Sequence, residues 1–230
     1  VALVAGGSSG LGLQFAKAMA NAGANVALVA RRTDSLEKNA KEIAEEYGVE
    51  VYPHYLDLCD SKSVTKCVED VIAHFGKIDI LVNSGGTGGS GDPATMTDEQ
   101  WSHVVDTDLT GLFYLCRDVA RLSMIPNNYG RIVNVSSIHG FVSRKNVWTA
   151  PYCASKGGVH MMTKALAHDW GKYNITVNCI APGYFPTELT EKFIDSDAFV
   201  QLHKDRCPKE RHGILGEMDG LCVYFAAPCC

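Results

Sequence analysis

The 230 residues contain no apolar run approaching the ~18 needed to cross a bilayer, so no membrane partner is expected. Basic charge is not in excess. The formal net charge of −5 argues against a nucleic-acid backbone as partner. The nine cysteines include no C-x-x-C pair and no Cys/His spacing suited to zinc, and no metal site is expected. Cys116, Cys179 and Cys222 lie inside apolar patterns, where a free thiol packs as a small hydrophobe. This usage fits a reduced, cytoplasmic protein. Residues 1–5 lead directly into a glycine loop, and no signal segment is expected. Internal repeats, low-complexity tracts and domain boundaries are also missing, so residues 1–230 are expected to form one domain.

Glycine is plentiful, with 22 residues gathered mostly in a few loops. The apolar run 1–5 fits a buried strand and stops at Gly6-Gly7-Ser8-Ser9-Gly10-Leu11-Gly12. Leu13, Phe15, Ala16, Met19 and Ala20 then follow a helical pattern. Strand, glycine loop and helix in that order present backbone N–H groups to a phosphate, with glycine wherever a Cβ would block close approach. A plain tight turn is the simpler alternative, but the position between strand and helix favours a nucleotide.

A second strand at 25–30 ends in Arg31-Arg32. At this strand end an acid suits the free ribose hydroxyl of NAD, and arginine accommodates the 2′-phosphate of NADP. Two arginines and no acid favour NADP over NAD. Thr33 or Asp34 is read as the cap of a helix reaching Gly48. Further strands are expected at 49–56, where Pro53 interrupts, and at 78–82, 131–135 and 175–180. Helices are expected at 61–75, at 97–124 with a possible break, and from Tyr152 onward. Six strand–helix alternations imply an α/β fold of three layers, a doubly wound, mainly parallel sheet of the Rossmann type. Ligands in such sheets bind beyond the carboxyl ends of the strands, where every unusual motif of this chain falls.

Tyr152-Cys153-Ala154-Ser155-Lys156 opens the last long helix. Positions i and i+4 share a helix face, so Tyr152 and Lys156 address one small volume. A phenol ordinarily titrates near 10, and a neighbouring ammonium favours the phenolate. Alone, the pair is more simply two surface residues one turn apart. Its weight comes from the other strand-end motifs.

Together these motifs resemble the short-chain dehydrogenase/reductase family over essentially the whole chain. The family loop T-G-x-x-x-G-x-G corresponds to Ala5 through Gly12, with Ala5 in place of threonine. Its adenine-contacting D-L is Asp57-Leu58, and its N-N-A-G is Asn83-Ser84-Gly85-Gly86. The active-site serine matches Ser137, Y-x-x-x-K matches Tyr152 and Lys156, and the later P-G is Pro182-Gly183, followed by Phe185 and Thr187. Asp108 stands where the family has a catalytic asparagine. The family continues into one more strand, so the numbered chain is expected to lack the last strand. The segments 169–175, 181–190 and 208–213 look most like the gluconate 5-dehydrogenase branch.

The resemblance implies reversible hydride transfer between NADP(H) and a secondary alcohol or ketone, most readily a sugar acid or polyol. Tyr152 would be the acid/base, Lys156 its electrostatic partner and Ser137 the ligand of the carbonyl oxygen. Asp108 would be the fourth member of the catalytic set. Gly6, Ser8, Ser9, Gly10, Leu11, Gly12, Arg31, Arg32, Asp57, Leu58, Asn83, Gly85, Pro182, Gly183, Phe185 and Thr187 would join Tyr152 and Lys156 around the cofactor. A homotetramer or homodimer and a small-molecule substrate are implied. One alternative is a 3-oxoacyl-carrier-protein reductase. Another, from a different class, is an NADP(H)-binding protein with little turnover because of Asp108. Bland readings compete locally: Asp57 as a helix-entry residue, Asn83 as a tie within the sheet, Ser136 as structural, and Arg144-Lys145 as a solvated loop pair. His139 is given no catalytic role.

Overall fold

The computed structural model describes residues 1–145 and 148–229. Six parallel strands run in the order β3-β2-β1-β4-β5-β6. They are β1 (Ala2–Ala5), β2 (Val26–Ala30), β3 (Val51–Tyr55), β4 (Ile80–Asn83), β5 (Gly130–Val135) and β6 (Ile175–Ile180). Helices α1 (Gly10–Asn21), α2 (Thr33–Tyr47) and α8 (Asp219–Ala226) cover one face. Helices α3 (Ser61–Phe75), α5 (Gly111–Val119) and α6 (Ala150–Trp170) cover the other. The remaining helices are α4 (Asp98–Val105) and α7 (Asp197–Arg206). No helix among the described residues is long and apolar enough to cross a membrane.

The central strands are buried on both faces and therefore read as near-continuous apolar runs, unlike the edge strand β3. Every residue of β1 and β5 is buried. Leu3 and Ala5 face the α3/α5/α6 layer, whereas Ala2 and Val4 face the α1/α2/α8 layer. The order turns back between β1 and β4, which opens a crevice at their carboxyl ends.

Three local expectations are corrected. Thr33 and Asp34 do not cap α2. Arg32 occupies the N-cap position without a side-chain bond to the helix, because a guanidinium has no acceptor to offer the first N–H groups. The third strand is shorter than 49–56. It spans Val51–Tyr55 and tolerates Pro53 because it is an edge strand, paired only with β2. Residues 98–124 do not break but pass through two wide π-helical turns, Asp106–Thr110 and Ala120–Met124. Thr97 starts this run with a reciprocal capping box to Gln100.

Candidate active site

Strand β1 delivers the chain into the glycine loop, where Gly6 adopts φ +79. A Cβ on Gly12 would lie 2.3 Å from the Gly6 carbonyl oxygen, so α1 can start this close to the loop only with glycine there. Ser9 occupies the N-cap of α1 without a side-chain bond to it, and no acid lies in the first turn. The first N–H groups of α1 are thus left for an anion. Gly12→Ala is expected to cost about 1–3 kcal/mol of stability and to abolish nucleotide binding. Thermal melting with and without NADPH checks both effects.

A cleft of about 990 Å³ starts at this loop and runs across the carboxyl ends of the strands to Tyr152. Gly6, Ser8, Ser9, Gly10, Leu11, Gly12, Arg31, Arg32, Asp57, Leu58, Gly85, Pro182, Gly183, Phe185 and Thr187 all line it. Asp108, Ser137, Tyr152 and Lys156 line it as well. Asn83 is not among the lining residues. The side chain is fully buried beneath the cleft. It donates to the Leu112 carbonyl at 3.1 Å and to Asn134 Oδ1 at 3.4 Å, tying β4 to α5 and β5. Asp57 lines the cleft and also organises its own turn. Its Oδ1 accepts from the Cys59 N–H at 3.0 Å, while Asp60 caps α3.

At the glycine-loop end of the cleft, Arg32 donates to Ser8 Oγ at 3.1 Å and to Ser9 Oγ at 2.8 Å. The same guanidinium grips Glu188 through two bonds of 3.0 and 2.9 Å. Arg32 holds the Glu188 carboxyl below the usual range. No sequence signal marks Glu188, which meets Arg32 across 156 positions.

At the other end, Pro151 sits in the first turn of α6, where its missing N–H costs nothing. Tyr152 and Lys156 project one turn apart into the cleft, with Lys156 Nζ 5.5 Å from the centre of the Tyr152 ring. Lys156 is 95% buried and reaches the Val135 carbonyl at 3.4 Å. Ser136 Oγ donates to the Lys156 carbonyl at 2.8 Å and so fastens β5 to α6. Ser137, the next residue, turns to the cleft and caps the short turn Ile138–Gly140 by accepting from the His139 N–H at 3.1 Å.

Asp108 comes from the π-helical turn, a form often found at functional sites. The chain there packs tightly, since a Cβ on Gly111 would meet the Leu58 carbonyl oxygen at 2.5 Å. Asp108 is fully buried, and its Oδ1 accepts from the Thr87 N–H at 2.6 Å. Its Oδ2 lies 3.6 Å from Lys156 Nζ. That is near enough for Coulomb attraction and too far for a hydrogen bond, and Oδ2 has no partner. Burial raises the Asp108 pKa above the ordinary carboxylate value, against the pull of Lys156.

Arg144 is not the solvated loop cation that its sequence context suggests. Its Nη1 donates to the Tyr184 hydroxyl at 3.1 Å, and its guanidinium carbon lies 5.2 Å from the centre of the Phe199 ring. All three residues line the cleft. His139, 92% buried, lies 2.9 Å from the same hydroxyl through Nε2 and 3.2 Å from the Val142 carbonyl through Nδ1. The Tyr152 ring stands edge-on to His139 with centres 6.1 Å apart.

Residues 1–198 match the family described as short chain dehydrogenase. Gluconate 5-dehydrogenase of Gluconobacter oxydans (strain 621H) is 34% identical over 226 residues, covering 98% of this chain and 87% of that one. The crystal structure of a gluconate 5-dehydrogenase from Burkholderia cenocepacia J2315 with NADP and tartrate superposes with a TM-score of 0.93 at 32% identity, covering 98% and 87%. A variant of the actinorhodin polyketide ketoreductase with NADPH superposes with a TM-score of 0.92 at 34% identity, covering 99% and 90%.

Proposed function

The chain belongs to the short-chain dehydrogenase family, and on that premise we propose that it interconverts a secondary alcohol and a ketone with NADP(H), on a sugar acid of the gluconate/5-ketogluconate type. The observation that supports this most is a single cleft joining the glycine loop and Arg32 to Tyr152, Lys156 and Ser137. The residues fit the cofactor. The loop leaves backbone donors open where a Cβ at Gly12 would close it, and Arg32 with Ser8 and Ser9 forms a donor cluster suited to a 2′-phosphate. When bound, the nicotinamide supplies or accepts the hydride.

The protein's own part is proton transfer and positioning. Ser137 Oγ holds the carbonyl oxygen by donating a hydrogen bond. The Tyr152 hydroxyl gives that oxygen a proton in reduction and takes it back in oxidation. Lys156 favours the phenolate left behind and hydrogen-bonds the nicotinamide ribose. Asp108, its charge disfavoured by burial, is taken to be neutral and so keeps the Lys156 charge available to Tyr152. Phe185 and Thr187 flank the nicotinamide. The protein is taken to work in the cytoplasm as a homotetramer or homodimer of one-domain subunits.

The test is oxidation of NADPH, and of NADH in parallel, with 5-ketogluconate, a neutral ketose and an acetoacetyl thioester. Preference for NADPH and for the keto acid supports the reading. Preference for the thioester favours the alternative that the ketoreductase neighbour suggests, and preference for NADH removes the role given to Arg32. Because Glu188 competes for Arg32, Glu188→Gln is expected to tighten NADPH binding by roughly two- to fivefold, the scale of an exposed ion pair. NADH binding should not change, and titration of cofactor fluorescence measures both.

A further inference from the structure

We propose that Arg144 is the anchor for a carboxylate on the substrate, held in place by Tyr184 and His139, and that it selects ketones and alcohols bearing a carboxylate over neutral ones. The inference rests on reading the cleft as the site of carbonyl reduction, and it names the group that recognises the far end of the molecule.

The argument starts with directions. His139 Nδ1 faces the Val142 carbonyl at 3.2 Å, so Nδ1 carries the proton and Nε2 is an acceptor. Burial, with Arg144 nearby, lowers the His139 pKa, which keeps the ring neutral. The Tyr184 hydroxyl therefore donates to His139 Nε2 at 2.9 Å, and its oxygen accepts from Arg144 Nη1 at 3.1 Å. The chain Arg144 to Tyr184 to His139 to Val142 runs one way and uses one guanidinium N–H. The remaining N–H groups of the fork have no protein acceptor among the described residues.

The second point is charge. Among the described residues no carboxylate lies within 4.0 Å of the Arg144 guanidinium, whereas Arg32, at the other end of the cleft, is paired with Glu188. Arg144 is instead seated against the faces of Phe199 and Tyr184, at 5.2 and 5.9 Å. A cation stacked in this way keeps its charge and loses its freedom, so little ordering cost remains when an anion arrives. A planar fork fits a carboxylate through two parallel bonds.

The third point is position. His139 touches both ends of the arrangement, 5.8 Å from the Tyr184 ring centre and 6.1 Å from that of Tyr152. The cation is thus separated from the proposed acid/base by two rings, His139 and Tyr184, on the wall of the same cleft. Both groups face the one cleft, so the proposal requires a single substrate to present its carbonyl to Tyr152 and its carboxylate to Arg144.

The test is calorimetric binding of gluconate and of neutral glucitol to the NADP⁺-loaded protein. Wild type is expected to prefer gluconate. Arg144→Gln should weaken gluconate by roughly 10- to 100-fold, the scale of charge-assisted bonds, and leave glucitol unchanged. Arg144→Lys should fall between, and Tyr184→Phe, which removes the strut and not the charge, should weaken gluconate less than Arg144→Gln. Equal losses for both ligands, or a wild type that binds gluconate no more tightly than glucitol, would overturn the anchor. NADPH oxidation with a neutral ketose, run on wild type and Arg144→Gln, separates the two levels. Undiminished turnover in the variant alongside unselective binding sinks the anchor and keeps the oxidoreductase. Selective gluconate binding by a wild type that reduces no ketone keeps the anion site and sinks the redox reading.

Discussion

Tyr152→Phe is expected to lower kcat/KM for ketone reduction by about 10²- to 10⁴-fold, the range of a lost general acid, with NADPH binding unchanged. The substitution removes one oxygen and keeps the ring. The contacts of that ring, edge-on to His139 and beneath the Lys156 ammonium, are aromatic and survive in phenylalanine. The glycine loop and Arg32, to which the proposal assigns most of the cofactor affinity, lie on another part of the cleft. Loss should therefore appear in the chemical step at every ketone concentration. Stopped-flow turnover and cofactor titration on the same preparation check this. A Phe variant that retains wild-type turnover would take the tyrosine out of the mechanism. Lys156→Ala serves as the contrast, since it should damage turnover and cofactor binding together.

Asp108→Asn carries the second large effect, and its sign depends on pH. Burial raises the Asp108 pKa above the usual carboxylate value near 3.8. The folded protein therefore holds this proton more tightly than the unfolded chain. The stability it contributes is fully present below the unfolded value and is lost as pH rises through the raised pKa. The same ionisation sets a full negative charge 3.6 Å from Lys156 Nζ. Two unit charges about 4 Å apart interact by roughly 4 kcal/mol at an effective dielectric constant near 20. A third to a half of that, withdrawn from Tyr152, is roughly 10- to 30-fold in rate. Wild-type kcat should fall on the alkaline side, and Asp108→Asn should restore it there by about that factor while changing little on the acid side. A pH–rate profile of the two proteins decides. Parallel profiles would show that Asp108 does not ionise in the working range or does not act through Lys156.

Much of this was legible in the sequence for physical reasons that differ from part to part. The central strands were readable because burial on both faces needs near-continuous apolar runs, and α3 and β6 match their expected bounds of 61–75 and 175–180. The loop from Gly6 to Gly12 was readable because Cβ atoms are excluded by backbone at both of its ends, Gly6 and Gly12. Helical spacing put Tyr152 and Lys156 on one face, and only the other strand-end motifs gave the pair weight. Other features depend on contacts distant in sequence. Asn83 has the composition of a cofactor ligand, yet β5 and α5 claim its amide before the cleft can. The π-helical turn that delivers Asp108 has no local signature, since Asp106-Thr107-Asp108-Leu109-Thr110 suits an ordinary helix. Arg144 looked like a loop charge because nothing near it in sequence announces Tyr184, 40 positions away, or Phe199. Glu188 was invisible for the same reason.

The most direct test of the account is transfer of label. The protein is incubated with 5-ketogluconate, a neutral ketose or an acetoacetyl thioester and NADPH deuterated at the transferring position, and the product alcohol is weighed by mass spectrometry. The account predicts one deuterium on the new carbinol carbon of the keto-acid product with wild type, and only a trace with Tyr152→Phe. Tight NADPH binding with no deuterium in any alcohol, or equal labelling by both proteins, would contradict it.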